Sequence, residues 1–213
     1  MRPDLIVLSA AALVVGVMCL VFGTAVNPTG DGMGMAATVR LASEQPGRWL
    51  AMSVLYFCAS IGLTCGMPAV LSLFRERAHR LGLVSVAVLS VGAIGTSGFA
   101  MLLVFIKALA QENALNAGSL EAAASDAAVT TFLWGWAGGF YLGALLVALA
   151  LLVSRATSPW VPVLLMVFVF LLPAAEVTGQ AGQVISMMAL ALAFTGIATA
   201  AVGQSQVPEP VAP

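Results

Sequence analysis

The sequence predicts an all-α fold: a polytopic transmembrane helix bundle with six spans and both termini in the cytoplasm. Six apolar stretches run through the 213 residues, and each is about long enough as a helix to cross the roughly 30 Å hydrocarbon core of a bilayer. Hydrophobic residues make up 61% of the chain and charged residues 8%, whereas soluble domains carry about 25% charged residues. The predicted spans lie near 5–26, 49–74, 82–107, 128–153, 160–177 and 183–203.

The first four stretches are predicted to be spans from their length. The first follows Arg2, as a secretory signal would, but its roughly 22 apolar residues exceed the usual core of about 7–15 residues. The link 27–48 begins with a turn-rich run and then shows weak helical periodicity, which predicts a short interfacial helix. Segment 111–126 is rich in alanine, and it either extends the third span or forms a surface helix.

The fifth and sixth stretches are harder to divide. Residues 160–173 number 14, about 21 Å as a helix, which is short for a span. Extending the fifth span to Val177 makes it nearly adequate and leaves a tight hairpin at 178–182. The alternative is that one of the two stretches enters and leaves on the same side, so that five true spans remain. Residues 204–213, with three prolines, predict a disordered cytoplasmic tail, and 1–203 then form a single transmembrane domain.

The basic residues predict the orientation. In a six-span layout five of them fall on the side of the termini and three on the opposite side, and short loops rich in Lys and Arg stay in the cytoplasm. Arg75, Arg77 and Arg80 form the densest group, which we interpret as a topology anchor, with contact to anionic lipid headgroups as the alternative. Trp49 and Trp160 open the second and fifth spans, where an interfacial aromatic belt is expected.

Small residues recur at helical spacing in two spans. Gly135, Gly139 and Gly143 follow one another at four-residue intervals in the fourth span, and Gly62 and Gly66 do so in the second. This spacing places the glycines on one stripe of a helix, where a second backbone can approach closely. The stripes are predicted to pack helices within the bundle or, for the fourth span, to form the seam of an oligomer.

One polar face is predicted in the sixth stretch. Glu176, Gln180 and Gln183 stand at positions i, i+4 and i+7 of a continuous helix. An ionisable group at membrane depth is costly and often functional, but Glu176 is predicted to lie near the outer surface. The set is therefore either a solvated turn or a polar mouth that admits a cation, a proton or a polar headgroup.

Several chemistries have no support in the sequence, so we expect no cofactor, no metal and no enzymatic activity. The single histidine, His79, lies in a link, which excludes a bis-histidine haem or a Ser-His dyad inside the bundle. No phosphate-binding glycine motif is present, and the central parts of the first four spans contain no acid or base. The net charge of −1 gives no case for nucleic acid as a partner.

One region resembles a known group of proteins. The run QPGRW at 45–49, the run MPAV at 67–70 and the link 75–80 before a glycine-rich span resemble small multi-spanning membrane proteins of high-GC bacteria, a group of unknown function. The similarity covers about residues 40–95 and is mostly compositional. It implies a bacterial inner (cytoplasmic) membrane and about six helices, and it carries over no catalytic residues.

Two functional hypotheses follow from these features. The first is a non-enzymatic multi-pass protein that scaffolds or binds a partner within the bilayer, where membrane lipids, a membrane-protein partner or a second copy of the chain are the expected partners. The second is a small channel or carrier for a hydrophobic or lightly polar solute, with its outer mouth near Glu176 and Gln180. An intramembrane enzyme acting on a lipid has the least support.

Overall fold

Eight α-helices make up the part of the chain that a computed structural model describes, which is residues 3–28, 34–74, 77–171 and 175–206. The side chains of residues 175–181 lie outside that description. The helices are α1 (Pro3–Val26), α2 (Met35–Glu44), α3 (Pro46–Ser72), α4 (His79–Gln111), α5 (Ala117–Ala124), α6 (Ala127–Ser154), α7 (Trp160–Leu171) and α8 (Ala175–Ser205).

The predicted all-α class is confirmed, because helices are the only regular elements in these ranges. Five helices are long and apolar enough to cross a membrane: α1, α3, α4, α6 and α8. The sixth apolar helix, α7, has 12 residues, about 18 Å, and falls short of a span by itself. The short helix predicted within 27–48 is present as α2. The structure also decides between the two alternatives for 111–126, because α5 is separate from α4.

The six apolar helices form a closed ring in chain order. Each contacts the next, from α1 through α3, α4, α6 and α7 to α8, which returns to α1. Neighbours run antiparallel: Gly16 of α1 lies against Gly62 of α3, and Gly23 lies against Tyr56, so one number rises as the other falls. The beginning of α1 and the end of α8 therefore lie at one end of the ring, the N-terminal end. Helices α2 and α5 lie at the other end, the α2–α5 end.

The hairpin predicted at 178–182 is wrong. Helix α8 is continuous from Ala175 to Ser205 and has 31 residues, so the connection with α7 lies between Leu171 and Ala175. Pro173 stands in that interval, and proline lacks the N–H that a helix interior needs. The helix passes through the glycines at 179 and 182, since a helix accommodates glycine for about 1 kcal/mol each.

A serine from α1 repairs the hydrogen bonding of α3 beside Pro68. The Ser9 hydroxyl donates to the Cys65 carbonyl at 2.8 Å and accepts from the Ala69 N–H at 3.0 Å. It thus stands between the two groups that would otherwise form one i to i+4 bond. Because lipid offers no replacement partner, this side chain keeps both backbone groups satisfied near the proline.

The expectation of an interfacial belt is wrong for Trp49. Its side chain is 1% exposed, and its indole N–H donates to the Leu103 carbonyl of α4 at 2.8 Å. Trp49 instead anchors a second apolar cluster, in which Leu41 and Ala42 of α2 cover α3 and α4. A buried indole needs a partner for its N–H, and the facing helix supplies one. Trp160 is half exposed.

Candidate functional site

A cavity of about 180 Å³ lies inside the ring. All six apolar helices contribute to its wall, mostly with aromatic side chains, and it is partly open to the surface. We call it the aromatic chamber. Its lining residues are Leu20, Thr24, Tyr56, Thr96, Phe99, Trp136, Ala137, Phe140, Tyr141, Phe168 and Met187.

The aromatic chamber is nearer the α2–α5 end of the ring than the N-terminal end. Thr24 is in the last turn of α1 and Phe168 in the last turn of α7, and both helices run toward the α2–α5 end. Tyr56 and Met187 belong to the first halves of α3 and α8, which start at that end. The chamber is therefore off-centre along the bundle axis.

One wall of the chamber is a run of three rings from three helices. Trp136 of α6 stacks on Phe99 of α4, with ring centroids 4.4 Å apart and planes 18° apart, and Tyr56 of α3 is tilted against Phe99 at 5.9 Å. Gly95 makes room for this wall, because a Cβ atom there would lie 2.6 Å from Cδ1 of Trp136. Offset stacking of this kind stabilises a pair by about 0.5–1.5 kcal/mol beyond its burial.

A second wall of the chamber centres on Phe168 of α7. Tyr141 of α6 stacks on it with planes 16° apart and centroids 5.6 Å apart, and Phe140 meets it edge-on at 6.0 Å. Phe168 is 1% exposed, so it is fixed in place. The short helix α7 thus contributes a ring to the chamber through its last turn.

Five of the side chains that line the chamber carry nitrogen or oxygen, and four of them have a hydrogen-bond partner. The Trp136 indole N–H donates to the Thr96 hydroxyl at 3.1 Å, and that hydroxyl donates to the Gly92 carbonyl at 3.0 Å. The Thr24 hydroxyl donates to the Leu20 carbonyl at 3.0 Å and lies 3.5 Å from the Tyr56 hydroxyl. The fifth, Tyr141, has no hydrogen-bond partner among the residues that the structure describes.

The chamber is suited to an uncharged guest. Its wall, as far as the structure describes it, contains no acidic or basic side chain. The described residues also bring together no group of three or more His, Cys, Asp or Glu that could hold a metal ion. A dry apolar cavity of about 150 Å³ accommodates benzene, so the volume of this chamber corresponds to one or two small rings.

The predicted polar mouth is described only in part. Gln183 is half-buried on α8, one helical turn nearer the α2–α5 end than Met187 of the chamber wall. Glu176 and Gln180 belong to the same helix, but their side chains lie outside the described part of the chain. A mouth formed by these three residues stays a prediction.

The predicted glycine stripes lie mostly between helices of the same chain. Gly62 faces Gly16 of α1, and Gly66 faces Leu13 of the same helix. Gly143 faces the backbone of Leu89 in α4, and Gly139 lies against Gly92, where a Cβ atom would be 3.2 Å from its nitrogen. Gly135 differs, because no described atom lies within 4 Å of a Cβ built on it. The fourth-span stripe therefore divides into two packed glycines and one exposed glycine.

The predicted anchor residues Arg77 and Arg80 are exposed at the N-terminal end of the ring, and Arg75 lies outside the described residues. Arg155 is at the same end, immediately after α6, with a left-handed backbone at φ 52°. The link 155–159 is short, so α7 starts where α6 ends. The basic residues of the two links thus lie at the N-terminal end of the ring, where α1 begins and α8 ends.

The chamber was missed by the sequence analysis. The rings of Tyr56, Phe99 and Phe168 looked like ordinary members of apolar stretches. One signal was present: the chain has two tyrosines, both within predicted spans, and both line the chamber. A phenol inside an apolar helix needs a polar environment or a partner, which separates it from the phenylalanines around it.

Comparison with known proteins gives no relative to set beside this geometry, since no family model, curated protein or solved structure matches the chain.

Proposed function

We propose that this chain is a non-enzymatic, multi-pass membrane protein that binds a small, uncharged, lipid-soluble molecule in the aromatic chamber. The single observation that carries the proposal is the cavity of about 180 Å³ to which every apolar helix contributes a side chain. This is the carrier hypothesis of the sequence analysis, restricted to its binding step. Because all six helices contribute to the wall, a change in their packing also changes the shape of the cavity around the bound molecule.

The chemistry of the wall supports an organic guest over water. A buried water molecule makes about three hydrogen bonds to polar groups, and four of the five polar side chains in the chamber are already paired. An empty cavity forfeits the dispersion contacts of the rings around it. A guest that touches those rings restores the contacts, so the chamber gains most from a flat apolar molecule.

In this proposal all six helices of the ring lie in the bilayer, with the N-terminal end in the cytoplasm. The exposed arginines at 77, 80 and 155 support that orientation through the positive-inside rule. Antiparallel packing of α7 on α8 supports α7 as the sixth crossing, because the Ser186 hydroxyl reaches the Phe168 carbonyl while Gly196 faces Val161. The membrane proposed is the bacterial inner membrane.

Scaffolding, the other hypothesis, draws less support from the geometry. Gly139 and Gly143, two of the three residues of the proposed seam, are covered by α4. Only Gly135 keeps open space, beside the exposed rings of Phe132 and Trp134. A lipid-facing helix surface needs no partner to account for such exposure.

Filling the chamber is expected to weaken binding. Ala137→Leu adds three carbon atoms to the wall, and overpacking of a fitted site costs about 1–3 kcal/mol, which is about fivefold to 150-fold in affinity. The measurement is saturable retention of tritiated indane by protein in nanodiscs, corrected for empty nanodiscs. Ala87→Leu is the matched control, since it makes the same change at an exposed position of α4.

Wild-type protein and Ala87→Leu should retain indane equally, and Ala137→Leu should retain about a fifth or less. Thermal unfolding of each variant separates a filled chamber from a lost fold. Equal retention by all three proteins, or no saturable retention by the wild type, would contradict the proposal.

A further inference from the structure

We propose that the aromatic chamber selects a planar, uncharged ring that carries a carbonyl oxygen, and that the Tyr141 hydroxyl is the donor that recognises this oxygen. The inference rests on the proposed function and names the class of molecule that the chamber takes. It is carried by the hydrogen-bond inventory of the chamber together with the arrangement of its rings.

The inventory leaves one of these side chains, Tyr141, without a hydrogen-bond partner among the described residues. The indole of Trp136 and the hydroxyls of Thr96 and Thr24 donate within the protein. Thr24 already donates to the Leu20 carbonyl, so the Tyr56 hydroxyl is the donor in its 3.5 Å contact with Thr24, which is long for a bond between hydroxyls. The Tyr141 ring is half-buried against Phe168, and its hydroxyl has no hydrogen-bond partner within that part of the chain. A phenol is a good donor, so this group is available to a guest.

The guest is distributed between the chamber and the acyl chains of the lipid, and in this competition one hydrogen bond decides which guest the chamber prefers. A lipid-soluble molecule leaves acyl chains, which are as apolar as the chamber wall, so burial alone discriminates weakly. Acyl chains also contain no donor, and a carbonyl dissolved among them is unpaired. Moving that carbonyl to the Tyr141 hydroxyl satisfies both groups at once, whereas a hydrocarbon leaves the hydroxyl without a partner.

The same inventory favours a carbonyl over an alcohol or an amine. An alcohol brings a donor as well as an acceptor, so besides the Tyr141 hydroxyl it needs an acceptor in the wall, where the hydroxyls of Thr24, Thr96 and Tyr56 are already used within the protein. A charged molecule would lose its hydration with no described counter-charge in the wall. A carbonyl brings only acceptor positions, so one donor is enough.

The rings favour a flat guest. The pair Trp136–Phe99 and the pair Tyr141–Phe168 each present nearly parallel planes, 18° and 16° apart. Flat aromatic faces make their best contacts with another ring in an offset-stacked or edge-on arrangement. A saturated, branched guest would leave gaps against such faces, and gaps forfeit dispersion energy.

The test compares 1-indanone with indane, which differ by one carbonyl oxygen on the same bicyclic frame. Each tritiated probe is titrated onto full-length protein in nanodiscs, and retention is divided by that of empty nanodiscs. Wild-type protein should prefer 1-indanone by about threefold to tenfold, the range of one intramolecular hydrogen bond. Tyr141→Phe should lower this preference toward unity, while Thr131→Val, which removes an exposed hydroxyl elsewhere on α6, should keep it.

The outcomes separate the inference from the proposed function. Retention of neither probe by the wild type overturns both. Retention of both probes with no preference for 1-indanone overturns the inference alone, and this result needs no variant to fold. A wild-type preference that survives Tyr141→Phe also overturns the inference. Retention of 1-indanol equal to that of 1-indanone would overturn the choice of a carbonyl.

Discussion

Trp49→Ala is expected to lower the free energy of unfolding by about 3–5 kcal/mol, the usual range for a buried tryptophan. The side chain is 1% exposed and lies where α2, α3 and α4 meet. The hydrophobic contribution is small in lipid, so most of the loss comes from the empty volume and from the hydrogen bond to the Leu103 carbonyl. The measurement is reversible unfolding by SDS in mixed micelles.

Trp134→Ala is the control for this change. The same truncation is made at a side chain that is 73% exposed on α6, where lipid fills the space left behind. It should change the unfolding free energy by less than about 0.5 kcal/mol. Equal effects of the two substitutions would contradict the position of Trp49 inside the bundle.

Gly62→Ala is expected to destabilise the protein by about 1–3 kcal/mol, the range for overpacking. A Cβ atom at this position would lie 2.6 Å from Cα of Gly16 and 2.8 Å from the carbonyl oxygen of Ala12. Both contacts are with backbone, which has no rotamer to change, so α1 and α3 must move apart. The same SDS titration reports the effect, and a wider separation of α1 and α3 also disturbs the approach of Thr24 to Tyr56.

Gly98→Ala is the matched control, since no described atom lies within 4 Å of a Cβ at Gly98. Alanine is the better helix former by about 1 kcal/mol, so this variant should be neutral or more stable. The account of the α1–α3 crossing is wrong if Gly62→Ala behaves like Gly98→Ala.

The apolar stretches predicted most of the helices because length and hydropathy determine which segments cross a bilayer. Helices α1, α3, α4 and α6 begin and end close to the predicted limits. The prediction failed between α7 and α8. The sequence stays apolar across this connection, so hydropathy does not show where one helix ends and the next begins. The link was predicted at 178–182 because the fifth span was extended to Val177, but helix α8 passes through these positions.

Apart from its two tyrosines, the lining of the chamber could not be predicted, for a physical reason. In water an amphipathic pattern tells the buried face of a helix from the exposed one, but a helix in lipid is apolar on every side. Phe99 lines the chamber and Phe105, six residues later on α4, is exposed, and nothing in the residue type separates them. Which ring faces inward depends on the rotation of each helix, and that follows from the packing of all six.

The glycine stripes predicted where helices pack closely, but they did not predict which helix packs on each stripe. Four-residue spacing indicated where backbones approach, and Gly62 and Gly143 do meet other backbones. The spacing could not tell which helix approaches, because Gly16 and Leu89, the residues that face them, belong to no such stripe. Gly135 has the same spacing as Gly139 but no described neighbour.

The most direct test of the account is to locate a ring inside the protein. Crystals soaked with bromobenzene give anomalous scattering from bromine. This signal locates the bound molecule directly, and no binding constant has to be measured. We expect a single strong site within the aromatic chamber, with bromine or ring carbons about 4 Å from Trp136 and Phe168. Bromine found only on the lipid-facing surface, or side chains that already fill the chamber, would contradict the account.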